Sequence, residues 1–125
     1  MIQYTLAADR EEEESSSYYQ PLHPAIIRLL ATVAQGAEKA GIPVGICGEM
    51  AGVPLYCELI IGMGYRELSM APRNIPSIKR VAKNVTLKNA ELLSKNVLRC
   101  GSESEIRSLL TDRMKERFPD LFPTL

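Results

Sequence analysis

A chain of 125 residues with 46% hydrophobic content is one ordinary domain with enough apolar side chains for a real core. Its 15 basic residues balance 15 acidic ones, which leaves no overall field to draw in nucleic acid or an anionic membrane. Three cysteines, Cys47, Cys57 and Cys100, with no CxxC spacing argue against both a disulfide framework and a zinc site, and a reducing cytoplasm is the default compartment.

The amino terminus, Met1 to Leu6, has neither a basic n-region nor a long apolar segment, and no run approaches the roughly 20 apolar residues of a membrane span; no membrane insertion is expected. Gln3-Tyr4-Thr5-Leu6-Ala7-Ala8 mixes β-formers with small apolar residues and breaks at Asp9-Arg10, so it is expected to be a buried strand whose carboxyl end carries charge. A central strand beginning almost at residue 1 points to a chain cut from something larger. Glu11 to Glu14 and Ser15 to Ser17 form a solvated polar loop. Pro24 then opens a helix with Ile26, Leu29, Leu30, Val33 and Ala37 on one face; Gly41 ends it and Pro43 prevents its return.

Pro43-Val44-Gly45-Ile46-Cys47-Gly48-Glu49-Met50-Ala51-Gly52 is the stretch around which the rest is organised. Its spacing predicts a strand, a tight turn and a helix, with Cys47 at the carboxyl end of the strand, where α/β folds gather their chemistry. Gly48 and Glu49 would shape the turn, the glycine leaving room for a ligand beside the sulfur. Pro54 opens the next helix, with Leu55, Leu59, Ile60 and Met63 inward and Gly62 and Gly64 closing it. Glu67 to Ala71 reads as a third strand. Asn74 or a neighbour caps a helix with Ile75, Ile78, Val81 and Ala82 inward and Lys79, Arg80 and Lys83 outside.

Three alternations of strand and helix imply parallel pairing with right-handed crossovers. Three strands do not close a barrel, and their edges need cover. The expected fold is therefore α/β: residues 1–85 as the last three βα units of a (β/α)8 TIM-type barrel, followed by a helical extension over 86–125. In that extension Thr86 caps a helix with Leu87, Ala90, Leu93 and Val97 inward. Gly101 stops it, and Ser102 with Glu105 forms a capping box for a last helix carrying Ile106, Leu109, Leu110 and Met114. Phe118 to Pro123 should end the chain as an extended tail that packs its aromatics on a neighbour.

These residues also carry a family resemblance. Gln3-Tyr4-Thr5-Leu6-Ala7-Ala8-Asp9-Arg10, Pro21-Leu22-His23-Pro24-Ala25, Gly45 to Gly52, Leu68-Ser69-Met70-Ala71-Pro72 and Ile75-Pro76-Ser77-Ile78-Lys79 resemble, in order and spacing, the carboxyl end of phosphoenolpyruvate-protein phosphotransferase, enzyme I of the bacterial sugar phosphotransferase system. The Cys-Gly-Glu element alone is shared with pyruvate phosphate dikinase and phosphoenolpyruvate synthase; the flanking motifs point to the enzyme I branch. Val53 departs from the acidic residue common in the family.

The resemblance implies a barrel that binds phosphoenolpyruvate with Mg2+ and passes the phosphoryl group to a histidine of a separate amino-terminal domain, then to a small phosphocarrier protein, releasing pyruvate. It implies Cys47 as proton donor to the enolate and Arg10 as a substrate-binding arginine, roles that suit a thiol of pKa near 8.5 and a planar bidentate donor. The family's metal carboxylates and phosphoryl-accepting histidine match no residue here, so the expectation is a catalytically incomplete fragment with no metal ligands of its own. It further implies a homodimer. The alternatives are a non-catalytic dimerisation module or a dikinase or synthase relative.

Without the resemblance, Cys47 reads as a small buried residue and Arg10 as an ion-pair partner of Asp9. His23, the sole histidine, reads as a capping and packing element, and Cys57 and Cys100 read as inert.

Overall fold

The computed structural model describes residues 1–9 and 20–121. Arg10, the acidic and serine-rich stretch expected to be a polar loop, and the residues from Phe122 onward lie outside the described residues.

The elements in chain order are α1 (Ile2–Leu6), α2 (Pro24–Ala40), β1 (Gly45–Cys47), a 3-10 turn (Met50–Gly52), α3 (Pro54–Met63), β2 (Glu67–Ser69), a second 3-10 turn (Pro72–Asn74), α4 (Ile75–Lys83), α5 (Leu87–Leu98) and α6 (Glu103–Arg117). The architecture is α/β and mostly helical. Its sheet among the described residues has two parallel strands, with Gly45 opposite Glu67, Ile46 opposite Leu68 and Cys47 opposite Ser69. No barrel closes around them. β1, α3 and β2 form one βαβ unit, the arrangement a parallel pair requires.

The expected first strand is corrected. Ile2–Leu6 is helical, Ala7 takes a left-handed conformation and Tyr4 is exposed. A strand must exchange its N–H and C=O groups with a neighbour, and no third strand pairs with this segment among the described residues. The peptide groups bond within the segment instead: Thr5 N–H donates to Met1 O and Ala8 N–H to Gln3 O. The strand expected over Glu67 to Ala71 also stops early, at Ser69, because Pro72 opens a 3-10 turn.

Among the described residues, three of the five longer helices carry a side-chain N-cap. His23 Nδ1 accepts from Ala25 N–H at 3.1 Å, so this histidine serves as an N-cap. Thr86 Oγ1 accepts from Asn89 N–H at 3.2 Å. Ser102 Oγ accepts from Glu105 N–H at 3.3 Å, while the Glu105 carboxylate reaches one residue further back than a capping box and accepts from Gly101 N–H at 2.8 Å. Asn74 contributes no side-chain cap; the 3-10 turn runs directly into α4.

Helix α3 is the centre of the core, with Leu55, Tyr56, Cys57, Leu59, Ile60 and Met63 all buried. Its closest partner is α5, and the reason is Gly62. A side chain there would lie 2.5 Å from the Ala90 carbonyl carbon, so the bare glycine lets the two backbones touch. Gly62 is thus a packing residue inside the helix, and Gly64, at φ +115°, is the terminator. Leu29, Val33, Ile75 and Leu87, expected inward, are exposed.

Helix α6 is joined to α3 by charge. Glu58 is only 2% exposed and accepts from Arg113 Nε at 2.7 Å and Nη2 at 2.6 Å, and from Arg117 Nη1 at 3.2 Å. A buried carboxylate needs such partners, and a bidentate guanidinium supplies them. Beyond α6, Phe118 is buried, with the guanidinium groups of Arg80 and Arg117 5.8 and 6.0 Å from its ring centre. Asp120 pairs with Arg80.

Candidate functional site

Strand β1 delivers Cys47 to its carboxyl end. Gly45, two residues earlier on the same face, packs tightly against β2: a Cβ there would stand 3.1 Å from the Glu67 side chain and carbonyl. Gly48 follows at φ +92°, a left-handed conformation with open space around it, and the chain turns there. Glu49 begins the 3-10 turn, its carbonyl accepting from Gly52 N–H at 3.1 Å. Gly52 in turn lies against the Asn74 amide, which holds the turn on the loop after β2. Cys47, Gly48 and Glu49 are therefore placed by a short strand, a left-handed glycine and a pinned turn.

The Cys47 thiol is free and exposed. Cys47 lines a cleft of about 700 Å³ together with Met1, Asp9, Ile26, Leu30, Met50 and Tyr65. Cys47 also borders a more open hollow of about 460 Å³ formed by the two strands, with Gly45, Ile46, Glu67, Leu68 and Ser69. Asp9, the residue before Arg10, is in the cleft with the thiol. Arg10 itself is outside the described residues.

The other thiols differ. Cys57 is fully buried, its Sγ 3.9 Å from Ile78 O, and burial first, then the neighbouring Glu58 charge, pushes its pKa up to about 11. Cys100 is half-buried near the end of α5, and desolvation followed by the Glu105 charge raises it as well. Burial also raises Tyr65, whose hydroxyl donates to Leu30 O at 2.8 Å and is committed to the core. Among the described residues, no three His, Cys, Asp or Glu side chains converge to hold a metal ion. None of their helices is long and apolar enough to cross a membrane.

Two side chains escaped the sequence reading. Glu58 sits in an otherwise apolar helix, and the signal was a lone acid there with Arg113 and Arg117 four residues apart later in the chain. Ser69 faces Cys47 across the sheet, a consequence of register that periodicity alone does not supply.

Residues 1–87 match the family described as PEP-utilising enzyme, PEP-binding domain. The chain belongs to this family. The matched segment includes Cys47, Gly48, Glu49 and both strands. The chain is also similar to a protein named phosphoenolpyruvate-dependent phosphotransferase system from Salmonella typhimurium, 38% identical over 94% of this chain and 16% of that protein. Phosphoenolpyruvate-protein phosphotransferases from Cupriavidus necator and Bacillus subtilis are 40% and 36% identical, over 84% and 92% of this chain and 18% and 20% of theirs. The chain thus spans a fifth or less of the length of these relatives.

Proposed function

We propose that this chain works as part of a phosphoenolpyruvate-protein phosphotransferase, with Cys47 as the acid that protonates the enolate left when phosphoenolpyruvate gives up its phosphoryl group. The observation that carries the reading is the exposed Cys47 thiol at the end of a parallel strand, opening into a cleft and followed by a left-handed glycine, within the segment that matches the family. A thiol carries a transferable proton, and from the cleft it can pass that proton to the methylene carbon to give pyruvate. Arg10 binds the substrate carboxylate or phosphate, one residue beyond the Asp9 of the cleft. Gly48 and Glu49 shape the turn that presents the sulfur.

In this reading residues 1–85 contribute the last βα units of a (β/α)8 barrel, and 86–125 form a helical extension packed against it. The open sheet face with Gly45, Cys47, Glu67 and Ser69 then looks into the barrel. The complete enzyme works in the cytoplasm as a homodimer and passes phosphate through a histidine to a phosphocarrier protein. Mg2+ belongs to the phosphoryl transfer; the described residues provide no ligand set for it, and no step assigned to them runs through it.

The test is complementation. This chain is mixed with a polypeptide carrying the remaining portion of a relative, and exchange of label between pyruvate and phosphoenolpyruvate is followed. Exchange that appears on mixing and is lost with Cys47→Ala supports the reading. Association without exchange favours a non-catalytic dimerisation module, and a nucleotide requirement would favour the dikinase or synthase branch.

A further inference from the structure

We infer that Ser69 is a second substrate contact, its hydroxyl binding an oxygen of the three-carbon acid that Cys47 protonates. The inference rests on the reading of Cys47 above and goes beyond it. Cys47 and Ser69 are register partners in a parallel pair, and both are the last residues of their strands. Cα partners on adjacent strands lie about 5 Å apart with side chains on the same face. Both residues are exposed, whereas Ile46 and Leu68 between the alternating positions are half-buried on the helix side. Both also line a hollow bounded by the two strands.

The thiol and the hydroxyl therefore stand side by side at one edge of the sheet, about the width of a small planar acid apart. Among the described residues nothing hydrogen-bonds the exposed Ser69 hydroxyl, which leaves its donor available to a ligand in the hollow it borders. A 2-oxo acid or its enolate offers a carbon to the sulfur and an oxygen to the hydroxyl. A hydrogen bond to that oxygen fixes which carbon meets the thiol.

The probe is 3-bromopyruvate, with iodoacetamide as a reagent of similar leaving-group chemistry that lacks the oxo acid. Alkylation joins Sγ to C3 as the carbon–bromine bond breaks, bromide leaves, and the thiol proton passes to buffer. Labelling at Cys47 is read by peptide mass spectrometry, which separates it from Cys57 and Cys100. In the unaltered chain the bromopyruvate rate should saturate and be slowed by pyruvate. Ser69→Ala should lower that rate about tenfold, the effect of losing one hydrogen bond to a charged group, with the iodoacetamide rate unchanged. Ser69→Thr, which keeps the hydroxyl, should restore most of it. Ser69→Val provides a second hydroxyl-free variant suited to a strand. A loss shared equally by both reagents, or no loss, overturns the inference while saturation in the unaltered chain leaves the role of Cys47 standing. Absence of saturation and of pyruvate protection in the unaltered chain overturns both.

Discussion

Gly36 and Gly62 both lie inside helices, and replacing each by alanine should move stability in opposite directions. Helix propensity alone favours alanine by about 1 kcal/mol at either position. At Gly36 in α2 nothing lies within 4 Å of the added methyl, so Gly36→Ala should stabilise the protein by about 0.5–1 kcal/mol. At Gly62 the methyl would sit 2.5 Å from the Ala90 carbonyl carbon, nearer still to its oxygen, and 3.2 Å from Glu91 N. Those atoms are backbone and cannot rotate away, so α3 and α5 must part by roughly 1 Å in a close-packed interior. Overpacking of this kind costs about 1–3 kcal/mol or more, and because it opens the most extensive helix pair in the fold we take the upper end. After the propensity gain, Gly62→Ala should be destabilised by about 2 kcal/mol, a fall of roughly 8 °C in Tm for a chain of this size. Urea and thermal unfolding followed at 222 nm measure both variants. Equal stabilisation by the two substitutions would refute the α3–α5 contact.

Truncating Glu58 to alanine strands Arg113 and Arg117 beside an emptied site; because both arginines are about 30% exposed and can rehydrate, the expected loss is about 2–3 kcal/mol in urea unfolding, at the lower edge of buried pairs. Burial holds the Cys57 proton more tightly in the folded chain than in the unfolded one, so its contribution is complete below about pH 9 and is lost as pH rises toward about 11. Stability should fall across that window, with Tyr65 adding in the same direction, and Cys57→Ala should flatten the slope. At pH 8 in native buffer, iodoacetamide should label Cys47 first and leave Cys57 unlabelled until denaturant is added; prompt labelling of Cys57 would contradict its burial. Asp120, held below the usual carboxylate range by the hydrogen bond from Arg80, should make the tail loosen in acid. Asp120→Asn should remove that acid-dependent step, read as proteolysis after α6.

Helix positions were largely legible because their signals are local. Pro24, Thr86 and Ser102 open helices, Gly41 and Gly64 close them, and the apolar spacing of Leu55, Leu59 and Ile60 finds the core. The segment Gln3 to Ala8 was misread because strand formation is settled by a neighbour, and a short run of mixed preference bonds to itself when none pairs with it. The glycine at 62 reads from sequence as a stop; only the position of Ala90 gives it another purpose. For the candidate site, the turn at Cys47-Gly48-Glu49 followed from residue type, since a cysteine between a strand and a glycine has few conformational options. The apposition of Ser69 did not, because register depends on the partner strand.

The pairing of Glu58 with Arg113 spans 55 positions of chain. On the ribosome, α3 is complete long before the residues that neutralise its acid have been made. During that interval the nascent helix can either keep its acid in water, leaving the core loose, or bury it without a counter-charge. Final consolidation must therefore wait for α6 to emerge, and a pause in translation ahead of those arginines would prolong the period in which the apolar side of α3 is open to aggregation.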